Sequence, residues 1–271
     1  MSVTDLSQSR EGELWRRLEG VNDPELDEPV TEMGFVERAE IAQDGHVEVD
    51  FRLPTYWCSP NFAFLMLEDI RAALDALSWA PPFHITLHDH MFAAEVNQGI
   101  AAGKSFSEIF DTLVGEGEHD LEAVRTTFRL KAFKRRQEAV ILDLRAIELS
   151  DVAISTMTLA DFDALRGGEA DAVKHRLRYR EALLARRPGL RPDDRVIVDW
   201  DGMPVDPGRL TAYLGELRSV RINMEFNGAL CRGLKQARYK EMEVIDGEPT
   251  LVDFIIGRVP PPVAPSHATD H

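Results

Sequence analysis

The chain has 271 residues, 44% of them hydrophobic and 29% charged, with a formal net charge of −16; these values fit a soluble globular protein of one large or two small domains. The first fifty residues hold 14 acids against 4 Lys or Arg, which argues against general binding to nucleic acid or to an anionic membrane. Two cysteines make no disulfide framework, no apolar run of about 18 residues marks a transmembrane helix, and MSVTDLSQSR lacks the regions of a signal peptide, so a cytoplasmic setting is expected.

In chain order, residues 1–10 read as disordered and Glu11–Glu19 as a short helix with Leu14, Trp15 and Leu18 on one side. Asp23 before Pro24 is a turn or cap signal. Met33-Gly34-Phe35-Val36 reads as a bend entering a strand, and Asp44-Gly45 as a hairpin turn. Val47, Val49, Phe51 and Leu53 then alternate with Glu48, Asp50 and Arg52, the period of a half-buried strand. Ser59 and Pro60 mark a helix start. Phe62, Ala63, Met66, Leu67, Ile70, Ala73, Leu74 and Leu77 repeat at helical spacing. Phe83 to His90 alternates again. Helix, strand, strand, helix, strand is the order of a small two-layer α+β sandwich.

This places Cys58 between a strand and the mouth of a helix. Partial positive charge and unpaired N–H groups at that mouth lower a thiol's pKa and favour a thiolate suited to nucleophilic attack or soft-metal binding. The same position equally fits a buried structural cysteine.

Asp23-Pro24-Glu25, then Met33-Gly34-Phe35-Val36, then an alternating strand running into Pro54-Thr55-Tyr56 and a cysteine, resemble the metal–sulfur (iron–sulfur) cluster assembly family that includes SufT and PaaD. Pro-Thr-Tyr looks most like the PaaD branch. The resemblance covers about residues 12–92. It implies a role in maturing an iron–sulfur or di-iron centre in a partner, with a transient iron or iron–sulfur unit as cofactor. The recipient it suggests is a metalloprotein such as a subunit of a multicomponent di-iron monooxygenase.

Beyond His90, Ser105 or Ser107 caps a turn at Phe106, Ile109 and Phe110. VGEGEHD reads as a linker and Asp120–Leu144 as a long helix. Asp161–Arg187 reads as a basic helix, Arg195–Trp200 as a strand and Asp206–Leu217 as a helix. Val220–Phe226 reads as a strand, Asn227-Gly228 as a turn, Leu230–Lys240 as a helix and Thr250–Val259 as a last strand. The expected organisation is an assembly domain at 1–103, a helical connector at 104–150, a second α+β domain at 151–259 and a disordered tail at 260–271.

Candidate chemistry centres on Cys58, with Asp23 and Glu25 either adding oxygen ligands or capping the adjoining loop. His84 and His88 stand about 13 Å apart at roughly 3.3 Å per strand residue, too far to share an ion. His88 and His90, about 6–7 Å apart, suit zinc or iron with a third ligand such as His46 or Glu48; a solvated sheet face fits them too. Cys231 follows a turn as Cys58 does, and is either a second thiol or a small buried side chain. Asp199 and Asp201 suit Mg²⁺ or a strand-end turn. Lys131, Lys134, Arg135 and Arg136 on one helix, with Arg176, Arg178 and Arg180 on the next, offer a docking face for the recipient or for the protein's own acidic front. Walker A, G-x-S-x-G, H-E-x-x-H and C-x-x-C are all absent, which weighs against an ordinary enzyme. Three classes remain: a maturation factor using Cys58, a metal-free chaperone or binding module for an apo-oxygenase, and a cysteine enzyme with a histidine base. A homodimer is compatible with each.

Overall fold

The computed structural model describes residues 3–110 and 121–239, with side chains from residue 9 and through residue 238. Helix α1 (Val3–Leu18) leads into a two-residue hairpin, β1 (Asn22–Asp23) with β2 (Glu28–Pro29), and then a three-stranded sheet. The sheet comprises β3 (Val36–Ile41), β4 (Val47–Arg52) and β5 (Phe83–His88), in the order β3-β4-β5. β3 and β4 are antiparallel across the Asp44-Gly45 turn, where Gly45 takes φ +85°. β5 returns parallel to β4, and the crossover it needs is helix α2 (Pro60–Asp75). Helix α1 begins at Val3 and so runs through residues expected to be disordered.

Alternation decides the two faces of the sheet. Val47, Val49, Phe51, Ile85 and Leu87 are buried against the helices. The outer face is a charged ladder in which Arg38 meets Glu48 at 2.8 Å and Asp50 at 2.6 Å, and His88 meets Asp50 at 2.9 Å. Such exposed pairs contribute little stability; their effect is to keep this face wet. Helix α2 buries Phe64 and Leu65 as well as Ala63, Met66, Leu67, Ile70 and Leu74 of its expected stripe, and α3 (Ala93–Ala101) and α4 (Phe106–Phe110) add to the same core beside Phe64. Phe106 lies edge-on to Phe64 at 5.6 Å. Phe106 and Phe110, which fall in the stretch expected to be a connector, therefore belong to the first core.

The second half is mainly helical, and the expected second α+β domain is not evident. It contains α5 (Leu121–Ala146), α6 (Asp151–Thr156), α7 (Leu159–Ala164), α8 (Ala170–Arg186) and α9 (Leu210–Tyr239). The helix expected at Asp161–Arg187 is broken at Gly167-Gly168, both at positive φ, into α7 and α8. The strand expected at Arg195–Trp200 makes only isolated bridges, Thr158 to Arg195 and Val198 to Pro204. The Ile197 carbonyl accepts the Val205 N–H, and the carbonyls of Val196 and Val198 are met by side chains. Tyr179 donates to the Val196 carbonyl at 2.5 Å, and the buried Gln137 amide donates to Val198 at 2.7 Å and to the Tyr179 hydroxyl at 2.7 Å. Tyr213 donates back to Gln137 Oε1 at 2.6 Å. A buried extended segment needs its polar groups paired, and this network does it without a sheet.

The strand expected at Val220–Phe226 and the Asn227-Gly228 turn both lie inside the 30-residue helix α9. Of the apolar residues in that alternation only Met224 is fully buried; Phe226 is 69% exposed. Arg221 and Glu225 pair at i,i+4, a helical contact. The VGEGEHD linker, the strand expected at Thr250–Val259 and the tail lie outside the described residues.

Candidate functional site

The Cys58 loop is built by three elements. Strand β4 delivers Leu53 into the core, residues 54–59 turn outward, and α2 begins at Pro60 with Ser59 at the cap position. Ser59 makes no side-chain cap bond; its N–H instead favours the Cys58 thiolate. Two bonds from beyond β5 hold the loop. His90 Nε2 donates to the Cys58 carbonyl at 2.8 Å, and the Met91 N–H donates to the Tyr56 carbonyl at 3.0 Å. Trp57, 74% exposed, stands edge-on to Tyr56 at 5.1 Å on the outside of the loop.

Cys58 is half-buried, and its pKa moves opposite to the expectation from the helix mouth. It is pushed up to about 12, first by burial and then by the charges of Asp23, Cys231 and Glu25, against the Ser59 N–H. A single backbone donor loses to desolvation and nearby anions. Asp23 is buried, and its Oδ1 accepts from the N–H groups of Glu25 at 2.8 Å and Leu26 at 2.9 Å. Burial, with Glu25 and Glu28 nearby, raises its pKa from 3.8 to about 6 despite those two donors. It therefore caps its loop, and its field also reaches both thiols.

The second cysteine arrives from α9. Cys231 packs half-buried against the same core as Cys58. A charge on Cys231 raises the cost of ionising Cys58. Burial, then Asp23 and Glu25, raises the Cys231 pKa, with Arg232 pulling the other way. The register of α9 over this site is set by named contacts. Asn227 donates to Glu25 at 3.2 Å, Arg232 meets Glu28 at 2.5 Å and Lys235 meets Glu37 at 3.6 Å. Arg238 donates to the Asp89 carbonyl at 3.1 Å.

The two histidines are not brought together. β5 ends at His88, which pairs with Asp50 on the outer sheet face. Asp89 then takes φ +49° and turns His90 inward, where it is 4% exposed. Both ring nitrogens of His90 are used, since Nδ1 accepts the Phe92 N–H at 3.2 Å. Burial keeps the ring neutral by lowering its pKa. Neither nitrogen is left for a metal, and the ring meets the Cys58 carbonyl rather than the sulfur, so it is not placed as that thiol's base. Among the described residues no group of three or more His, Cys, Asp or Glu side chains is placed to hold a metal ion.

The basic helices are largely spent inside the molecule. Arg136 grips the buried Asp27 carboxylate with two bonds, at 2.6 and 2.9 Å, and Arg178 joins it at 3.1 Å. Arg135 donates to the Leu26 carbonyl and meets Glu28 at 3.1 Å. Arg180 pairs with Asp163, Arg176 donates to the Gly167 carbonyl, and Lys131 lies over the Phe128 ring. Of the seven residues expected on the docking face, Lys134 alone shows no such pair among the described residues. Asp199 Oδ1 accepts from the N–H groups of Asp201 and Met203, which is a turn and not an Mg²⁺ site.

Asn227 and Arg232 were not legible as site residues, and His90, expected as a metal ligand, instead braces the Cys58 loop. The available signal was the spacing of Met224, Asn227, Cys231, Lys235 and Arg238, which share one face once that stretch is taken as helix.

Cys58 thus stands at a strand-to-helix junction on a small two-layer unit, with the carboxylates of Asp23 and Glu25 in its field. Residues 11–80 match the family model described as iron–sulfur cluster assembly protein, so the N-terminal portion is a domain of the SufT and PaaD kind. The match includes Asp23, Glu25 and Cys58 and ends before β5 and α9. No curated protein and no solved structure matches the chain. Among the described residues no helix is long and apolar enough to cross a membrane.

Proposed function

We propose that this protein is an accessory factor that matures a metal centre in a recipient protein, with Cys58 as the thiol that contacts the iron or iron–sulfur cargo. The observation that carries this reading is the assembly-family match over the residues that hold Cys58, Asp23 and Glu25. Electrostatics supports it over a cysteine enzyme. Carboxylates that make a bare thiolate costly also attract a cation, and a bound metal inverts the local pKa logic. The site is thus poor for a free nucleophile and suited to a sulfur that ionises when metal arrives. Asp23 and Glu25 hold the loop and supply the field. Exposed Tyr56 and Trp57 beside the thiol are the contact for the recipient, since most cations of the basic helices are paired within the molecule. The choice of a di-iron monooxygenase as recipient rests on the resemblance of Pro54-Thr55-Tyr56 to the PaaD branch.

The test is anaerobic loading with ferrous iron and sulfide, followed by incubation with an apo iron–sulfur acceptor and with the apo-hydroxylase of a di-iron monooxygenase. Wild type should restore acceptor activity and Cys58→Ser should not, with unchanged circular dichroism. Equal restoration by the two proteins refutes the role of Cys58 and leaves the metal-free chaperone.

A further inference from the structure

We propose that the outer face of α9 is the contact for a second copy of this chain, the two α9 helices lying antiparallel about a two-fold axis. The inference does not depend on what Cys58 does.

Helix α9 has two unlike sides. Leu210, Leu217 and Met224, all buried, and the half-buried Cys231 recur every seven residues and face the molecule. At 3.6 residues per turn, the opposite side carries Ile222, Phe226, Ala229 and Gly233. Steps of four, three and four are the spacing of a helix–helix seam. Leu230 and Leu234 border this seam on one flank. Ile222, Phe226, Leu230 and Leu234 are 51%, 69%, 53% and 40% exposed. Ala229 is exposed too, and a Cβ at Gly233 would meet nothing within 4 Å. Isolated exposed hydrophobics are ordinary on a protein surface. Four large ones in a row along about 18 Å of one helix form a patch of the kind that marks an interaction site.

Shape and charge both select a second copy as the occupant. Phe226 is a knob, and Ala229 and Gly233, one and two turns further on, leave a notch. An antiparallel pair seats Phe226 of each copy over the Ala229–Gly233 notch of the other, and a two-fold axis makes both contacts at once. A parallel pair would instead set Phe226 against Phe226 and leave glycine facing glycine. The antiparallel register also places Glu225 opposite Arg232 of the second copy, because that pair and the knob with its notch share one midpoint along the helix. Both residues lie on the flank away from Leu230 and Leu234, and an antiparallel pair sets each flank against its own counterpart. Glu225 already pairs with Arg221, and Arg232 with Glu28, yet their side chains stay 48% and 43% exposed. Each is therefore open to a second, opposite charge. One helix face is smaller than the roughly 800 Å² per partner of a standard stable interface, so the dimer is weak, dissociating on the order of tens of micromolar.

The experiment is sedimentation velocity of the full chain at about 0.15 M salt, which screens charge beyond roughly 8 Å, across concentrations from about 1 to 300 µM. Wild type should pass from monomer to dimer and stop there, since a two-fold contact closes. Phe226→Asp and Gly233→Gln should each weaken the dimer by about tenfold or more. Circular dichroism should show the fold kept in both, because these positions face away from the molecule. Glu225→Arg should weaken the dimer too, and adding Arg232→Glu should recover most of the association. Such recovery can arise only between copies, since the double variant loses the pairs to Arg221 and Glu28 within each copy. A wild type that stays monomeric at the highest concentration overturns the proposal. So does assembly beyond a dimer, or a dimer that Phe226→Asp and Gly233→Gln leave unchanged. If Phe226→Asp melts well below a monomeric wild type at the lowest concentration, another part of the same chain covers this face, which equally overturns it.

Discussion

Each nitrogen of the His90 ring is occupied, one by the Cys58 carbonyl and one by the Phe92 N–H. His90→Phe keeps the volume but removes both bonds. It should cost about 1–3 kcal/mol, the usual penalty for stranding a buried polar group, read from denaturant midpoints. Cys58 should also react faster with a thiol reagent as its loop loosens. Asp23 sets a second residue-scale expectation. Its folded pKa, about 6, lies above the unfolded value, so the native state holds the extra proton. Its contribution to stability is therefore best at low pH and falls as pH rises from about 4 through 6. Asp23→Asn keeps an oxygen for the two N–H groups and removes the charge. It should be more stable than wild type at pH 7–8, by up to about 3 kcal/mol for two pH units, and the gap should close below pH 4. Thermal melts across that range decide it; a gap independent of pH contradicts the burial of an ionised Asp23.

At the scale of elements, α9 carries the largest difference between expectation and structure. Asn227-Gly228 is a strong turn signal, yet both residues lie mid-helix. A Cβ on Gly228 would meet only the end of the Arg232 side chain, at 3.4 Å or beyond, which is ordinary van der Waals contact. Gly228→Ala should therefore raise stability by about 0.5–1 kcal/mol, the gain from replacing a helical glycine. In a turn with positive φ the same change would destabilise, so the sign of the melting shift separates the two conformations. Val220 to Phe226 misled because four apolar residues alternate there. Alternation becomes a strand only where a neighbouring strand completes its hydrogen bonds, and α9 instead satisfies its own backbone while packing on α5.

Across the whole molecule, the acidic front and the basic helices are one another's partners. Asp27, 3% exposed and at φ +52°, is clasped by Arg136 and Arg178, and this joins the sheet unit to α5 and α8. Arg136→Met should destabilise the protein toward the low end of about 3–5 kcal/mol, because Arg178 stays beside the buried carboxylate. Adding Asp27→Asn should recover part of that loss, as a double-mutant cycle would show. An unchanged denaturation midpoint in Arg136→Met would mean that the ion pair is not formed in solution.

The local pattern of residues was enough to determine the sheet and helix α2 of the N-terminal unit. Period-2 alternation in β4 and β5, the helical stripe of α2, Gly45 in its turn and the strand-to-helix position of Cys58 all follow from short-range spacing and backbone preference. The family likeness was legible for the same reason, since its motifs are local. Three things were decided only by tertiary packing. Burial and neighbouring carboxylates, which come from distant segments, reversed the direction of the Cys58 pKa. Long-range bonds from Gln137, Tyr179 and Tyr213 took the place of a sheet at Val196–Val198. The docking of α9, which sets Cys231 against the same core as Cys58, depends on contacts between residues some two hundred positions apart, and spacing along the chain carries no information about which distant surfaces will meet.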